Sequence, residues 1–350
     1  MNFGLSEEQI LLSDSFSSFL KKEAPLDRVR QYIETGADPK LQQQAAELGI
    51  SGIMVAQDFG GSGLGLFEAA LVSELLGQQV TPSSFITTSV IAPTLLNAST
   101  QTHLLEKIAT GEVEIGFGCV DALVKQDKTG KITTQVPIVM GFDADYYLIG
   151  DRVGNTYLLD ANDLENASPL TTIDQTRNLG EITCSDTPAI QVQANQQLLG
   201  NALSAGRVML AADTLGAAQY MLDASVSYAK QREQFGQVIG SFQAVKHMCA
   251  EMVAALEPCR AFVWYSAHLQ GPQTQKDHIE SSVHACQAKA HIDEMGQFVA
   301  RTATEVHGGM GFTDLLGLHL WFKRIGFNRQ NLGSPTQLRA EAGEIQGFFA

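Results

Sequence analysis

The sequence predicts a mainly helical α+β fold in three parts. Apolar residues recur at three- to four-residue spacing up to about residue 110, which is typical of helices. Short β-branched and aromatic runs follow to about residue 195, and helical spacing then returns to the end of the chain. A length of 350 residues allows two or three domains, and 44% hydrophobic residues are typical of a globular protein. We expect an N-terminal helical domain over 1–110, a middle β domain over 111–195 and a C-terminal helical domain over 196–350.

The N-terminal region contains two helical patterns and one glycine-rich segment. Ser6 precedes Glu7, Glu8 and Gln9, which predicts a helix start with acidic residues in the first turn. The segment FGGSGLG at 59–65 is similar to a phosphate-binding loop, but no βαβ pattern follows it. We therefore predict a turn between two helices there.

The middle region changes to strands. The runs GKITTQVPIVM, ADYYLIGD and NTYLLD are short and separated by Gly, Asp and Asn turn signals. The C-terminal region then contains three long amphipathic helices, at about 203–229, 242–263 and 280–306. Helices of this length favour an antiparallel bundle.

The charge is concentrated in the first 200 residues. The formal net charge is −15, of which residues 1–200 carry −14 and residues 201–350 carry −1. A strongly acidic front argues against binding to nucleic acid or to an anionic membrane surface. Residues 201–350 are nearly neutral, so the charge does not exclude an anionic ligand in that part of the chain.

Cysteines and targeting signals favour a cytoplasmic protein without a metal centre. The five cysteines are an odd number without a CxxC pair, so we expect reduced thiols rather than disulfides. The N-terminus has neither a basic nor an apolar signal region, and the longest uncharged stretch, 75–105, is too polar to span a membrane. A cluster of His278, His284, Cys286 and His291 has no HxxxH or CxxC spacing, so we expect packed side chains and no metal site.

Two segments of the C-terminal region indicate a binding site. In the first, YAKQREQFGQVIGSFQAV, a guanidinium, an aromatic ring and an amide fall on the turn between two long helices. Arginine can hold a phosphate with two parallel hydrogen bonds. In the second, EVHGGMGFT, paired glycines at a helix end let the backbone approach a ligand closely. A plain helix corner and a glycine cap also explain the same residues without any ligand, and from composition alone they are the more ordinary explanation.

Together these segments resemble the acyl-CoA dehydrogenase family. The first is similar to the family's Arg-x-x-Phe-Gly turn with Gln-Ala on the next helix, and the second to its Gln-x-His-Gly-Gly-x-Gly-Phe-Thr segment. Residues 45–77 are similar to its second helical hairpin. The resemblance implies a helical domain, a β domain and a C-terminal four-helix bundle, with FAD bound across a subunit interface. The matching residues are Arg232, Phe235, Gly236, Gln243 and Ala244, then Glu305, His307, Gly308, Gly309, Gly311, Phe312 and Thr313.

The resemblance also implies roles for individual residues. Arg232 would bind the pyrophosphate, Phe235 and Gln243 would line the adenosine side, and the segment Glu305–Gly309, with His307 and Gly308, would approach the phosphates. Gln337 is expected among the cofactor-binding residues. Glu305 replaces the usual amide, and a carboxylate facing pyrophosphate would be repelled.

The departures from the family pattern concern the catalytic base. The family removes the substrate α-proton with a Glu near the C-terminus or, in a minority of members, just before an Arg on the first long C-terminal helix. Here these positions are Gly333 and Gly206, so we assign no catalytic residue. The family's Thr-Glu-Pro-x-Ala-Gly-Ser-Asp flavin loop and its later Trp are also missing from the middle region, since the two tryptophans are Trp264 and Trp321. We therefore expect this chain to lack the half of the site that binds the flavin ring and acyl-CoA in other members of the family.

These departures lead to a prediction about assembly. Some family members, known from steroid side-chain degradation, are heterotetramers with one FAD per heterodimer. We expect this chain to be the partner without a base, paired with a homologous Glu-bearing subunit as α2β2. The assembly would desaturate a bulky acyl-CoA and pass electrons to an electron-transfer flavoprotein. Two alternatives stay open: a self-sufficient dehydrogenase with its base relocated to Asp213 or Glu305, and a flavin-free helical scaffold.

Overall fold

The computed structural model describes residues 4–36, 38–97, 99–271 and 278–348. The predicted order of a helical region, a β region and a second helical region is confirmed, and so is the mainly helical fold class. Among the described residues, none of the helices combines the length and the low polarity that crossing a membrane would require.

The N-terminal region consists of short helices. Ser6 begins the first helix as expected, because its hydroxyl accepts from Gln9 N and Gln9 Oε1 accepts from Ser6 N. The helices are α1 (Glu7–Glu23), α2 (Leu26–Thr35), α3 (Pro39–Glu47), α4 (Leu66–Gln78), α5 (Ala92–Leu96) and α6 (His103–Thr110). The glycine-rich segment 59–65 lies in the turn before α4, where Gly60 and Gly63 have positive φ values, as the sequence predicts.

The β region is one seven-stranded sheet with the order β5-β6-β2-β1-β3-β4-β7. Strands β1 and β3 are parallel, with Ile115 opposite Tyr146, and the other neighbours are antiparallel. The strands are β1 (Ile115–Val120), β2 (Lys131–Met140), β3 (Tyr146–Asp151), β4 (Asn155–Asp160), β5 (Asn166–Leu170), β6 (Leu179–Pro188) and β7 (Ile190–Ala194). A small core within this region includes Val136, Ile149 and Ile182, all fully buried.

The C-terminal region is built around one long helix. This helix, α7 (Gln196–Gln231), has 36 residues and extends for roughly 54 Å. Helices α8 (Gln243–Leu269), α9 (His278–His307) and α10 (Leu318–Asn328) pack along it, and α11 (Pro335–Ile345) packs on α9. Between α7 and α8 lies a small hairpin of β8 (Glu233–Gln234) and β9 (Gln237–Val238).

The main hydrophobic core joins the N-terminal helices to this bundle. It includes Ile91 from the segment before α5 and Val208, Leu215 and Met221 from α7. A buried hydrogen-bond network joins all three regions: Arg324 of α10 is fully buried and donates to Asp174 of the β region, to Asp213 of α7 and to the Thr81 carbonyl of the N-terminal region. The long helix is therefore held both by apolar packing and by buried charges.

Candidate functional site

The turn between α7 and α8 presents an exposed aromatic ring. Phe235 and Gly236 form the two-residue loop between β8 and β9, with φ values of 54° and 76°. Positive φ at both positions is the type I′ hairpin geometry, which strongly prefers Asn and Gly, so a phenylalanine there is unusual. The ring of Phe235 is 93% exposed and meets Phe242 edge-on at 6.2 Å between ring centroids. A strained, exposed aromatic residue of this kind indicates a contact with a ligand or with another chain.

Arg232 and Gln243 flank this hairpin. Arg232 ends α7, and its carbonyl accepts from Ile239 N at 2.7 Å, which ties the two sides of the turn together. Gln243 is the first residue of α8, and both side chains are exposed. The structure thus brings Arg232, Phe235 and Gln243 together on one exposed turn, as the resemblance implies.

The glycine segment follows the end of α9. Gly308 has a φ of 57°, and Gly309 lies in the same tight turn. An added Cβ at either glycine would meet nothing within 4 Å. Packing within the chain therefore does not require glycine at 309, whereas a ligand approaching the backbone from outside would. Phe312 and Leu315 come next, and they are 80% and 75% exposed.

His307 has a structural position rather than a ligand-facing one. It is 6% exposed, its Nδ1 lies 2.7 Å from the Ala303 carbonyl oxygen, and its ring stacks on Tyr228 at 4.6 Å. Burial lowers the pKa of His307, although the hydrogen bond to Ala303 opposes this effect. Because Tyr228 lies one turn before Arg232, this stack holds the glycine segment at the same end of the bundle as the hairpin.

Gln337 lies away from the exposed turn and from the glycine segment. It caps the start of α11, where its Oε1 accepts from Ser334 N at 3.0 Å and from Ser334 Oγ at 2.8 Å. It also lines a cleft of about 950 Å³ between the β region and the bundle, together with Arg207 and Glu341. The structure does not place Gln337 with the other predicted cofactor-binding residues.

The cleft and the exposed turn lie far apart in one chain. Arg207, on the cleft wall, and Arg232 are 25 residues apart along α7, so roughly 37 Å separates them. One FAD molecule is too short to reach from one to the other. If both places take part in binding FAD, each must therefore work with a different molecule or with a neighbouring subunit.

Gly206 and Gly333, the two positions that the resemblance assigns to the family's base, are packed against apolar side chains. A Cβ on Gly206 would lie 2.8 Å from Leu332 Cδ1 and 2.9 Å from Ile91 Cδ1, closer than real Cβ contacts. Gly333 has a φ of 112°, which side-chain-bearing residues rarely adopt, and a Cβ there would lie 2.8 Å from Leu338 Cδ2. Neither position can accept a carboxylate without rearrangement.

Arg207 is held beside these glycines. Its guanidinium makes a bidentate pair with Glu341 at 2.7 and 2.8 Å, and its Nε donates to the Leu332 carbonyl at 3.0 Å. Burial opposes the charge on Arg207, but the pair with Glu341 outweighs it and raises the arginine pKa.

Asp213 and Glu305, the two acids considered as relocated bases, lie outside the cleft. Both Asp213 oxygens are engaged: Oδ2 accepts from Arg177 at 2.6 Å and from Arg324 at 3.1 Å, and Oδ1 accepts from Asn328 at 2.7 Å. Glu305 is exposed near the opposite end of α9 from the cleft. The structure therefore gives no support to either residue as a base.

A second cavity of about 300 Å³ lies between α1, the segment 81–89 and the β region. Met140, Leu179 and Phe327 line both this cavity and the cleft, so the two are neighbours. Neither space could be predicted from the sequence, because the walls of the cavity come from all three regions and those of the cleft from the β region and the C-terminal region. The exposure of Phe312 and Leu315 was not predicted either. The sequence signal that could have indicated it is a pair of apolar residues shortly after a glycine-rich turn.

Comparisons with known proteins identify the family. The family model for the C-terminal domain of acyl-CoA dehydrogenases matches residues 197–335, and the model for the N-terminal domain matches residues 6–112. Acyl-CoA dehydrogenase IpdE2 of Mycolicibacterium smegmatis is 31% identical over 346 residues, which cover 97% of this chain and 100% of that protein. The chain belongs to the acyl-CoA dehydrogenase family. Members of this family are flavin-dependent oxidoreductases that act on CH–CH bonds, with FAD as the cofactor.

Solved structures share the fold over the whole chain. The ChsE4-ChsE5 complex from Mycobacterium tuberculosis has a TM-score of 0.89 at 20% identity and covers 100% of both chains. The Tcur3481-Tcur3483 steroid ACAD G363A variant has a TM-score of 0.86 at 24% identity and covers 98% of each chain. At these identities the likeness concerns the fold alone.

Proposed function

We propose that this chain is the base-free subunit of a heteromeric acyl-CoA dehydrogenase. It would complete the adenylate and pyrophosphate half of an FAD site, while a homologous subunit would supply the flavin pocket and the catalytic Glu. The observation that carries the proposal is the roughly 37 Å along α7 between the exposed turn at Arg232 and the cleft at Arg207. The turn therefore faces outward to a neighbour and does not serve this chain's own cleft.

The residues at the exposed turn fit an adenylate and a pyrophosphate. Arg232 offers a charged, bidentate donor for phosphate oxygens, and Phe235 offers an exposed ring face for stacking. The free space at Gly308 and Gly309 leaves backbone N–H groups open to a ligand. Bound FAD would accept the hydride that leaves the substrate β-carbon. This chain's residues would only bind and orient the cofactor.

The glycines at the base positions support the assignment of chemistry to a partner. A dehydrogenase of this family needs a group to take the α-proton, and general-base catalysis typically contributes about 10²–10⁴-fold in rate. Gly206 and Gly333 supply none, and Asp213 is already held by two arginines. The substrate would be a bulky acyl-CoA, as the resemblance to the heterotetramers of steroid side-chain degradation implies. The acceptor would be an electron-transfer flavoprotein.

The test is reconstitution with a homologous, Glu-bearing subunit. We expect the chain alone to be colourless, and the complex to hold one FAD per heterodimer and to oxidise acyl-CoA. A chain that binds FAD and oxidises acyl-CoA alone would contradict the proposal in favour of self-sufficiency. A complex that stays colourless would favour a flavin-free scaffold.

A matched pair of variants tests the assigned turn. Arg232→Ala removes a charge-assisted contact of about 1.5–3 kcal/mol, so FAD affinity in the complex should fall roughly ten- to hundred-fold. Lys230→Ala removes an exposed cation two residues away on α7 and should leave FAD affinity unchanged. Equal losses in both variants would indicate a general charge effect and would count against the role of Arg232.

A further inference from the structure

The cavity between α1, the segment 81–89 and the β region has a volume of about 300 Å³ and a mostly apolar wall. Phe16, Leu20 and Ile50 are among the buried side chains that line it. Small-molecule sites in proteins are typically cavities of about 300–1,000 Å³ with an apolar wall and a few polar groups. The size and the wall of this cavity therefore fit a compact apolar molecule.

Two polar side chains on the wall each have one atom without a hydrogen-bond partner among the described residues. The first is Oγ1 of Thr81, a residue that is 2% exposed. The second is Nε of Arg177, whose side chain is 9% exposed. Buried polar groups nearly always have a partner in the protein, in water or in a ligand. The two atoms therefore indicate a hydrogen-bonding group inside the cavity.

Hydrogen bonds hold Thr81 and Arg177 on the same part of the wall. Arg177 Nη1 donates to the carbonyl of Ser83, two residues after Thr81, at 3.0 Å. Arg324 donates to the Thr81 carbonyl at 3.3 Å and to the hydroxyl of Thr176, which precedes Arg177 in sequence. None of these bonds uses Thr81 Oγ1 or Arg177 Nε, so both atoms stay available to a ligand oxygen.

The charges around the cavity disfavour an anion. The Arg177 guanidinium is already paired with Asp213 at 2.6 Å. Glu114 and Asp143 line the same cavity, and their printed partners, Ser84 and Asn178, are uncharged. An anionic ligand would be repelled by these two carboxylates, whereas an uncharged oxygen would not.

The wall also includes a turn of π-helix, Ile86–Ile91. Ile86, Thr87 and Ser89 of this turn line the cavity. Single π-helical turns are rare and frequently lie at functional sites. The backbone geometry of the wall is thus in keeping with a binding site.

We propose that this cavity binds a compact, uncharged apolar molecule with one acceptor oxygen, such as a ketone, and that Thr81 Oγ1 and Arg177 Nε donate to that oxygen. The ligand is held by this chain alone. The inference goes beyond the proposed function, because it concerns neither the exposed turn nor the partner subunit.

The experiment titrates acetophenone into the full chain and follows binding by calorimetry. Ethylbenzene, which has a methylene in place of the carbonyl, and benzoate, which has a carboxylate in place of the acetyl group, are the matched probes. Acetophenone should bind saturably and at least about ten-fold more tightly than either. Thr81→Val replaces the hydroxyl by a methyl group and breaks no hydrogen bond of the hydroxyl. It should weaken acetophenone about three- to ten-fold, leave ethylbenzene unchanged and keep the thermal midpoint.

Two further variants locate the site. Thr156 is 0% exposed and also has an unpaired Oγ1, but it lies on β4 and away from the cavity wall, so Thr156→Val should leave acetophenone binding unchanged. Ala45→Phe places a ring in the cavity from α3 and should abolish binding. Equal affinities for acetophenone and ethylbenzene, equal losses in the two valine variants, or no saturable binding would each overturn the inference. Tighter binding of benzoate, or binding retained in a folded Ala45→Phe variant, would overturn it as well.

Discussion

Replacing Asp213 with Asn should destabilise the whole chain, because Asp213 balances two buried arginines. Its carboxylate accepts from Arg177 and Arg324, both from outside α7, and a third bond comes from Asn328. With an amide at this position, Asp174 alone would face two guanidinium groups. The change keeps the size of the side chain, so it removes a charge and creates no cavity.

The size of the effect follows from the burial of the network. Asp213 and Arg324 are both 0% exposed, and removing one partner of a buried ion pair typically destabilises a protein by about 3–5 kcal/mol. For a chain of this size each kcal/mol lowers the thermal midpoint by about 2 °C, so the expected fall is about 6–10 °C. Burial opposes the charge on Arg324, but Asp174 and Asp213 outweigh it and raise the arginine pKa, whereas burial and the neighbouring Arg324 lower the pKa of Arg177. Losing Asp213 therefore removes part of what stabilises both guanidinium charges.

The assay is thermal unfolding followed by calorimetry, with Asp223→Asn as the control. Asp223 lies ten residues further along α7, is exposed and accepts a single hydrogen bond from Gln219, so its variant should keep the midpoint within about 1 °C. A midpoint unchanged in Asp213→Asn would refute the reasoning. If activity were lost in that case while the midpoint was kept, Asp213 would be the relocated base after all.

Three further predictions concern the exposed turn, the loop at Gly333 and the buried ion pair of Lys289 and Asp293 on α9. Gly309→Ala should leave the thermal midpoint of the isolated chain unchanged, since its Cβ meets nothing, but should reduce the FAD retained by the complex, as measured by flavin absorbance; undiminished retention would place the cofactor elsewhere. Gly333→Glu should lower the midpoint and yield no dehydrogenase activity, because positive φ strains a side-chain-bearing residue by about 1–3 kcal/mol; a gain of activity would show that the loop opens readily. Burial raises the pKa of Asp293 to about 6, so the folded chain binds an extra proton between about pH 4 and pH 6 and its stability falls as the pH rises through that window. Midpoints of the unaltered chain and of Lys289→Met/Asp293→Asn, recorded across this range, should differ in slope in that direction, and parallel curves would contradict it.

Much of the fold could be predicted because its signals are local. The capping residues around Ser6 and the turn glycines near 60 depend on neighbours a few residues away, and the structure has both as expected. The change from helical to strand spacing near residue 111 is likewise a local property, and β1 begins at Ile115. The order of strands in the sheet, in which β1 pairs in parallel with β3, depends on crossovers that no local pattern specifies.

The candidate site was predictable only in part. Arg232, Phe235 and Gln243 lie close together in sequence, and one hairpin keeps them together. His307 belongs to the glycine segment that the resemblance groups with this turn, but the sequence could not show that its ring stacks inward on Tyr228. Gln337 was grouped with these residues by resemblance, and the structure places it on the cleft instead, because α11 begins beside Arg207 and not beside Arg232.

The sequence by itself determined the family and the order of regions, and it has glycine at the two positions where the resemblance expects a base, since residue identities in short motifs suffice for each. The tertiary structure alone decided which residues meet across the chain. It placed Asp213 between two arginines from other elements, brought Lys289 under the Gly333 carbonyl and separated the cleft from the exposed turn by most of α7. Contacts of this kind join residues more than 30 positions apart, and they depend on how rigid helices pack, which the spacing of residues along a single helix does not specify.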